Sequence, residues 1–127
     1  MSEIYHQHVI RNWGTYTVLY EGKGFRVKEL IINPHSSLSR QKHQHRTETW
    51  NIVSGECSVL INDETIKLTQ DKGIFIPKDT WHKGINNADN PAHIIEIWRG
   101  DILTEDDIER AKPVSYTHLT LPTSDLV

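Results

Sequence analysis

Hydrophobic and polar residues alternate with period 2 through most of the chain. Residues 15–20, 25–32, 49–53, 56–61, 65–68, 73–76 and 92–98 follow this pattern and are rich in β-branched and aromatic side chains, which predicts strands. Turn formers separate them: Glu21-Gly22-Lys23-Gly24, Asn33-Pro34, Ser54-Gly55, Asn62-Asp63-Glu64, Asp71-Lys72-Gly73 and the run from Asn86 to Pro91. Ile61-Asn62-Asp63-Glu64-Thr65-Ile66 predicts a tight hairpin. Short strands with regular turns predict an all-β sandwich, barrel or jelly roll. The exception is 104–111, where a short C-terminal helix is expected. Thr104 would cap it, Asp106 and Asp107 suit the positive end of its dipole, and Arg110 suits the other end. No repeat or linker interrupts the pattern, so one domain is expected over 1–113.

From 114 the pattern stops. Residues 114–127 carry no charge before Asp125 and continue no strand. Val114-Ser115-Tyr116-Thr117-His118-Leu119-Thr120-Leu121-Pro122-Thr123 resembles the translation of a transposase mosaic-end sequencing adapter. The stretch 114–127 therefore reads as a non-native tail behind a truncated gene, and His118 is not a candidate ligand.

At 127 residues the chain holds one core. Hydrophobic residues make up a lean 36%, offset by four Trp, four Tyr and two Phe with their large buried areas. Charges are spread without blocks, and the net charge of −3 leaves no basic stripe for nucleic acid or an anionic membrane. No apolar run reaches the ~20 residues of a membrane span, and the polar start has no signal-peptide core. The single Cys57 has no intrachain disulfide partner, which fits a reducing cytoplasm. The expected partner is a small molecule, not a nucleic acid or a membrane.

Eight histidines are a high count for this length. The informative string is Gln41-Lys42-His43-Gln44-His45-Arg46-Thr47-Glu48-Thr49-Trp50. On a strand, His43 and His45 share a face with Gln41 and can converge on one ion. Glu48 has the opposite parity, so a bulge or bend at Arg46-Thr47 would be needed to turn it inward. A helix would align Gln41, His45 and Glu48 but push His43 away. The strand formers that follow favour the strand. His82, after Pro77-Lys78-Asp79-Thr80-Trp81, is a candidate fourth ligand. Imidazole with carboxylate suits a borderline divalent metal: zinc, iron, manganese, cobalt or nickel. The competing reading of His43-Gln44-His45 is a surface or hydrogen-bonded core pair, with Glu48 a strand-edge charge. His6-Gln7-His8 reads as a solvated N-terminal segment, His35 as a turn residue and His93 as structural.

Two separated segments agree. His43-x-His45-x-x-Glu48 with Gly55, and Pro77-x-Asp79-x-x-His82-x-x-x-Asn86, resemble the two motifs of the cupin superfamily. Asp79 stands where the second motif usually has Gly, and the gap between His45 and Glu48 is shorter than usual. The string Gln41 to Trp50 is similar to that of the type II phosphomannose isomerase cupin, a domain also found behind GDP-mannose pyrophosphorylase. Arg11-x-Trp13-Gly14 resembles that family's opening Arg-Pro-Trp-Gly, with Asn12 in place of Pro. Lys28, Asn33-Pro34 and Ser39 follow in the family's order. Ile95-Glu96-Ile97 and Glu105-Asp106-Asp107-Ile108-Glu109-Arg110 resemble its closing segment. The family's short terminal tail is missing where the adapter-like sequence begins.

The resemblance implies a jelly-roll barrel with an internal metal, zinc first among the candidates. It also implies interconversion of mannose 6-phosphate and fructose 6-phosphate. Such an isomerisation needs a Lewis acid at the carbonyl, a base at the carbon-bound proton and a cation for the phosphate. The implied ligands are His43, His45, Glu48 and His82, with Gln41 an extra or substitute. The base is Glu48 or Glu96. The phosphate cation is Lys28, then Arg99 or Arg46. Trp50, Trp81 and Trp98 either line the barrel mouth or pack the core. The competing functions are a non-catalytic sugar- or sugar-nucleotide-binding cupin and a cupin dioxygenase or epimerase. A homodimer paired through sheet edges is the expected assembly.

Overall fold

The computed structural model describes residues 7–112, and every regular element among them is a strand. In chain order these are β1 (Gln7–Arg11), β2 (Gly14–Gly22), β3 (Phe25–Ile32), β4 (Ser36–Ser37), β5 (Gln41–Lys42) and β6 (Arg46–Ser54). They continue with β7 (Cys57–Ile61), β8 (Glu64–Leu68), β9 (Gly73–Ile76), β10 (His82–Asn86), β11 (Ala92–Gly100) and β12 (Glu109–Arg110). The tail 114–127 and His6 lie outside the described residues.

The strands form two antiparallel sheets. One runs β1-β2-β3-β11-β6-β9, and the other runs β12-β5-β10-β7-β8 with β4 paired to β10. The alternation of the sequence becomes an alternation of burial, most evenly on β6, β10 and β11, so each sheet turns one face to a shared core. The hairpin at Asn62-Asp63 forms as expected, with Ile61 paired to Glu64 and Asn62 in the left-handed region at φ 51°.

The buried face of the larger sheet changes character along its strands. At one end Ile32 pairs with Ala92, and Leu30, Ile94 and Ile52 form the next rung. The following rung is Lys28, Glu96 and Trp50, and beyond it Trp98 lies opposite Glu48. All of these residues are buried. An apolar core therefore grades into a charged interior within one barrel, and that polar end is where ligands can enter without dismantling the core.

Two expectations are corrected. No helix forms at 104–111. Thr104 does cap a turn, its Oγ1 accepting the Asp106 amide at 3.2 Å, but the turn does not propagate. Glu105 is drawn instead to Arg26 and Lys28, Asp107 to the Gln44 and His45 amides, and Glu109–Arg110 pairs with β5. A single turn has little intrinsic stability, so these tertiary contacts decide. Gln7 and His8 are not a loose terminus either: they open β1, with His8 Nδ1 2.7 Å from Thr17 Oγ1.

Candidate metal centre

The string 41–50 is not one strand. β5 ends at Lys42, residues 43–45 bend, and β6 starts at Arg46. The bend resets the parity. It buries His43 at 3% exposure, leaves His45 exposed, and lets Glu48 face inward from β6 at 2% exposure. The expected sharing of a face by His43 and His45 is therefore corrected, because period 2 holds only while the strand is unbroken. His82, the first residue of β10, completes the group at 2% exposure.

His43, Glu48 and His82 place one ligand atom each within 4.8 Å of one another. His43 Nε2 lies 3.1 Å from Glu48 Oε2, and His82 Nε2 lies 3.8 Å from Glu48 Oε1. His43 Nδ1 donates to the Asp107 backbone oxygen at 2.7 Å, and His82 Nδ1 donates to that of Thr80 at 2.9 Å. A carbonyl oxygen only accepts, so each neutral ring carries its proton on Nδ1 and turns a bare Nε2 towards Glu48. Two imidazole lone pairs and a carboxylate converge with no proton of their own to share. That donor set fits a borderline divalent metal, with backbone carbonyls fixing the ligand tautomers from behind.

The electrostatics agree. Burial alone would raise the Glu48 pKa, but its close contact with His43 and the charge of Arg46 hold it well below the usual carboxylate range. Burial pushes His82 down and keeps it neutral, the form a metal needs. Arg46 is the cation of the cluster as it stands. Its Nε donates to Glu48 Oε2 at 2.8 Å, and its Nη2 donates to His43 Nε2 at 3.2 Å. Its guanidinium carbon lies 3.3 Å from the centre of the Trp98 ring, and the residue is buried.

A cavity of about 320 Å³ opens beside the triad. Glu48, His82, Glu96, Lys28, Trp50 and Trp98 line its floor, and Arg11, Trp13, Gln41 and Arg110 are also in its wall. Glu96 is the second carboxylate: burial first, and the Glu48 charge next, push its pKa up to about 8. Lys28 Nζ sits 4.0 Å from Glu96 and 3.1 Å from Glu105, so its charge is already shared by two carboxylates. Gln41 lines the cavity, but its amide donates to Ser39. Arg99 is a correction. It alternates with Trp98 on β11, stands exposed on the opposite face of the sheet and does not line the cavity. Trp81 is half-buried beside Lys42 and outside the cavity wall.

The cation pair at the wall was missed by site reasoning from the sequence. Arg11 and Arg110 lie 99 positions apart, and neither forms an ion pair among the described residues. Arg11 stood in the opening motif and Arg110 in the closing one, which was the available signal.

The second motif explains itself structurally. Asp79, where Gly is usual, adopts φ 54°, a conformation that Asp tolerates better than most residues. Its amide donates to the His43 backbone oxygen at 2.8 Å, tying the two motifs together. Asn86 is fully buried and donates to Ile32, Asn33 and Asn90 carbonyls, so it anchors loops.

Residues 2–113 match the family described as mannose-6-phosphate isomerase C-terminal. Alginate biosynthesis protein AlgA of Pseudomonas aeruginosa is 40% identical over 109 residues, 86% of this chain and 23% of that protein. Xanthan biosynthesis protein XanB of Xanthomonas campestris is 39% identical over 106 residues, 84% of this chain and 23% of that protein. Mannose-1-phosphate guanylyltransferase 2 of Escherichia coli O157:H7 is 37% identical over 109 residues, 86% of this chain and 23% of that protein. The chain thus spans about a quarter of the length of the curated relatives it matches. In fold it is similar to KdgF from Halomonas, with TM-score 0.70 at 12% identity over 80% of this chain and 88% of that one. A Klebsiella pneumoniae protein with a double-stranded β-helix domain gives TM-score 0.70 at 16% identity, covering 81% and 83%. Those likenesses show the fold class, all-β and double-stranded β-helix. With a match that runs from residue 2 to residue 113, the chain belongs to the mannose-6-phosphate isomerase C-terminal family of cupin domains.

Proposed function

We propose that this domain is a metal-dependent aldose–ketose isomerase acting on mannose 6-phosphate and fructose 6-phosphate. His43, Glu48 and His82 would hold a divalent metal, zinc first among the candidates. The observation that carries the reading is a pair of carboxylates in one cavity driven to opposite proton affinities. Glu48 stays ionised, while Glu96 keeps its proton up to about pH 8. Such a split assigns one carboxylate to metal binding and the other to proton transfer.

A metal held by these residues would supply Lewis acidity at the sugar carbonyl. The chain supplies the rest. In its ionised form Glu96, its Oε1 fixed by the Trp98 indole N–H at 2.8 Å, takes the proton from one carbon of the C1–C2 pair and returns it to the other. Lys28, 4.0 Å away, favours that ionised form before the proton is taken. Trp50 and Trp98 close the floor against water. Arg11 and Arg110 bind the phosphate, since their charge is not neutralised by a carboxylate as that of Lys28 is.

Purified protein loaded with zinc, manganese or cobalt should form fructose 6-phosphate from mannose 6-phosphate, and a chelator should abolish this. A folded, metal-loaded sample without turnover overturns the enzyme reading and leaves a sugar-phosphate-binding cupin.

A further inference from the structure

Residues 101–108 form neither helix nor strand, yet they are held by the metal centre and its neighbours. Asp107 makes the closest contacts. Its backbone oxygen accepts the His43 Nδ1 proton at 2.7 Å, and its two carboxylate oxygens accept the Gln44 and His45 amides at 2.9 and 2.8 Å.

The two imidazoles of the triad are fixed differently. His82 takes its Nδ1 partner from Thr80, two residues earlier, so local chain geometry is enough. His43 takes its partner from 64 residues away, on a segment without regular structure. A free imidazole exchanges between tautomers, and a carbonyl held against Nδ1 favours the one whose Nε2 is bare for a metal. The carboxylate clamp on the two amides that follow His43 supplies that hold. It also accounts for His45, whose backbone serves the clamp while its ring stays exposed.

We propose that Asp107 is the positioning residue of His43: its carboxylate grips the Gln44 and His45 amides and so seats its own carbonyl against His43 Nδ1. Asp107 does not touch the ligand atoms of the triad, and it acts through His43. The inference rests on the metal reading of the triad.

The test uses the whole chain, with cobalt(II) titrated against a competing chelator and the histidine rings followed by 15N NMR in metal-free protein. Asp107→Asn places an amide donor where an acceptor is needed. It should weaken cobalt binding by about tenfold or more, and should mix the His43 tautomers while His82 stays protonated on Nδ1. Asp101→Asn, the same charge change on an exposed neighbour, should behave as wild type. Wild-type affinity with a single His43 tautomer in Asp107→Asn overturns the proposal. So does a parallel change in both histidines, which would mean general loosening. Failure of both Asp107→Asn and Asp107→Ser to fold would make the residue structural and overturn it too. A wild-type chain that binds no cobalt defeats the metal reading itself, a result distinct from these.

Discussion

Trp50 donates its indole N–H to Glu48 Oε1 at 2.9 Å, two residues back on the same face of β6. Trp98 repeats this on β11 with Glu96 Oε1 at 2.8 Å. The two Glu-x-Trp units lie antiparallel, Glu48 opposite Trp98 and Glu96 opposite Trp50. Identical hydrogen bonds leave the two carboxylates with opposite proton affinities, so their surroundings make the difference. Glu48 has Arg46 and two imidazoles. Glu96 has burial and the Glu48 charge, which outweigh the opposing charges of Lys28 and Arg46.

Glu96→Gln should abolish isomerisation and stabilise the fold in a pH-dependent way. The folded protein keeps the Glu96 proton to about pH 8, well above the ordinary 4.5. The stability gained by holding that proton is present below pH 4.5 and is lost as pH rises through 8. Glutamine stays neutral throughout, so its advantage over wild type should be small at pH 5 and exceed about 1 kcal/mol at pH 9. Thermal unfolding at the two pH values reads this. An equal difference at both refutes the assignment.

Glu48→Gln should remove metal binding and cost about 3–5 kcal/mol, because Arg46 is left buried without its carboxylate. Glu48 is depressed, so its contribution is present above pH 4.5 and lost as pH falls below that range. Urea unfolding at pH 7 and pH 3 should show the gap between variant and wild type narrowing in acid.

Gly84→Ala should disturb the centre from beneath. A Cβ on Gly84 would stand 2.9 Å from Trp50 Cζ3 and 3.1 Å from Cη2, and the ring must shift. Overpacking of this kind costs about 1–3 kcal/mol. Since Trp50 is the donor to Glu48, tryptophan fluorescence and cobalt affinity should change together.

Arg11→Gln and Arg110→Gln should each raise KM for mannose 6-phosphate about tenfold or more with little change in kcat, while Arg99→Gln leaves both unchanged. Steady-state kinetics of the three variants separate a phosphate-binding role from a surface charge.

Much of this was readable along the chain. Period-2 alternation predicted β3 and β9 to the residue and the cores of β2, β6, β7, β8 and β11, because burial of one sheet face leaves its imprint on every second position. The two cupin-like motifs placed His43, Glu48 and His82 among five candidate ligands, and the structure gathers these three without His45 or Gln41. The parity of Arg99 against Trp98 was also written in the sequence. Strands β1, β4, β10 and β12 were not: β4 and β12 have too few residues for a period to show, and the polar sequences of β1 and β10 show no hydrophobic alternation.

Only the tertiary structure decided the rest. The bend at 43–45 separated His43 from His45, and the pull of Arg26, Lys28 and two backbone amides opened the expected helix. Closure of the barrel brought Arg11 to the same cavity as Arg110. Neighbouring groups, not residue type or burial, gave Glu48 and Glu96 their opposite proton affinities. Local periodicity fixes which face a residue takes within an element. Long-range contacts fix where elements break and what each charged group meets, and the chemistry of this site depends on the second.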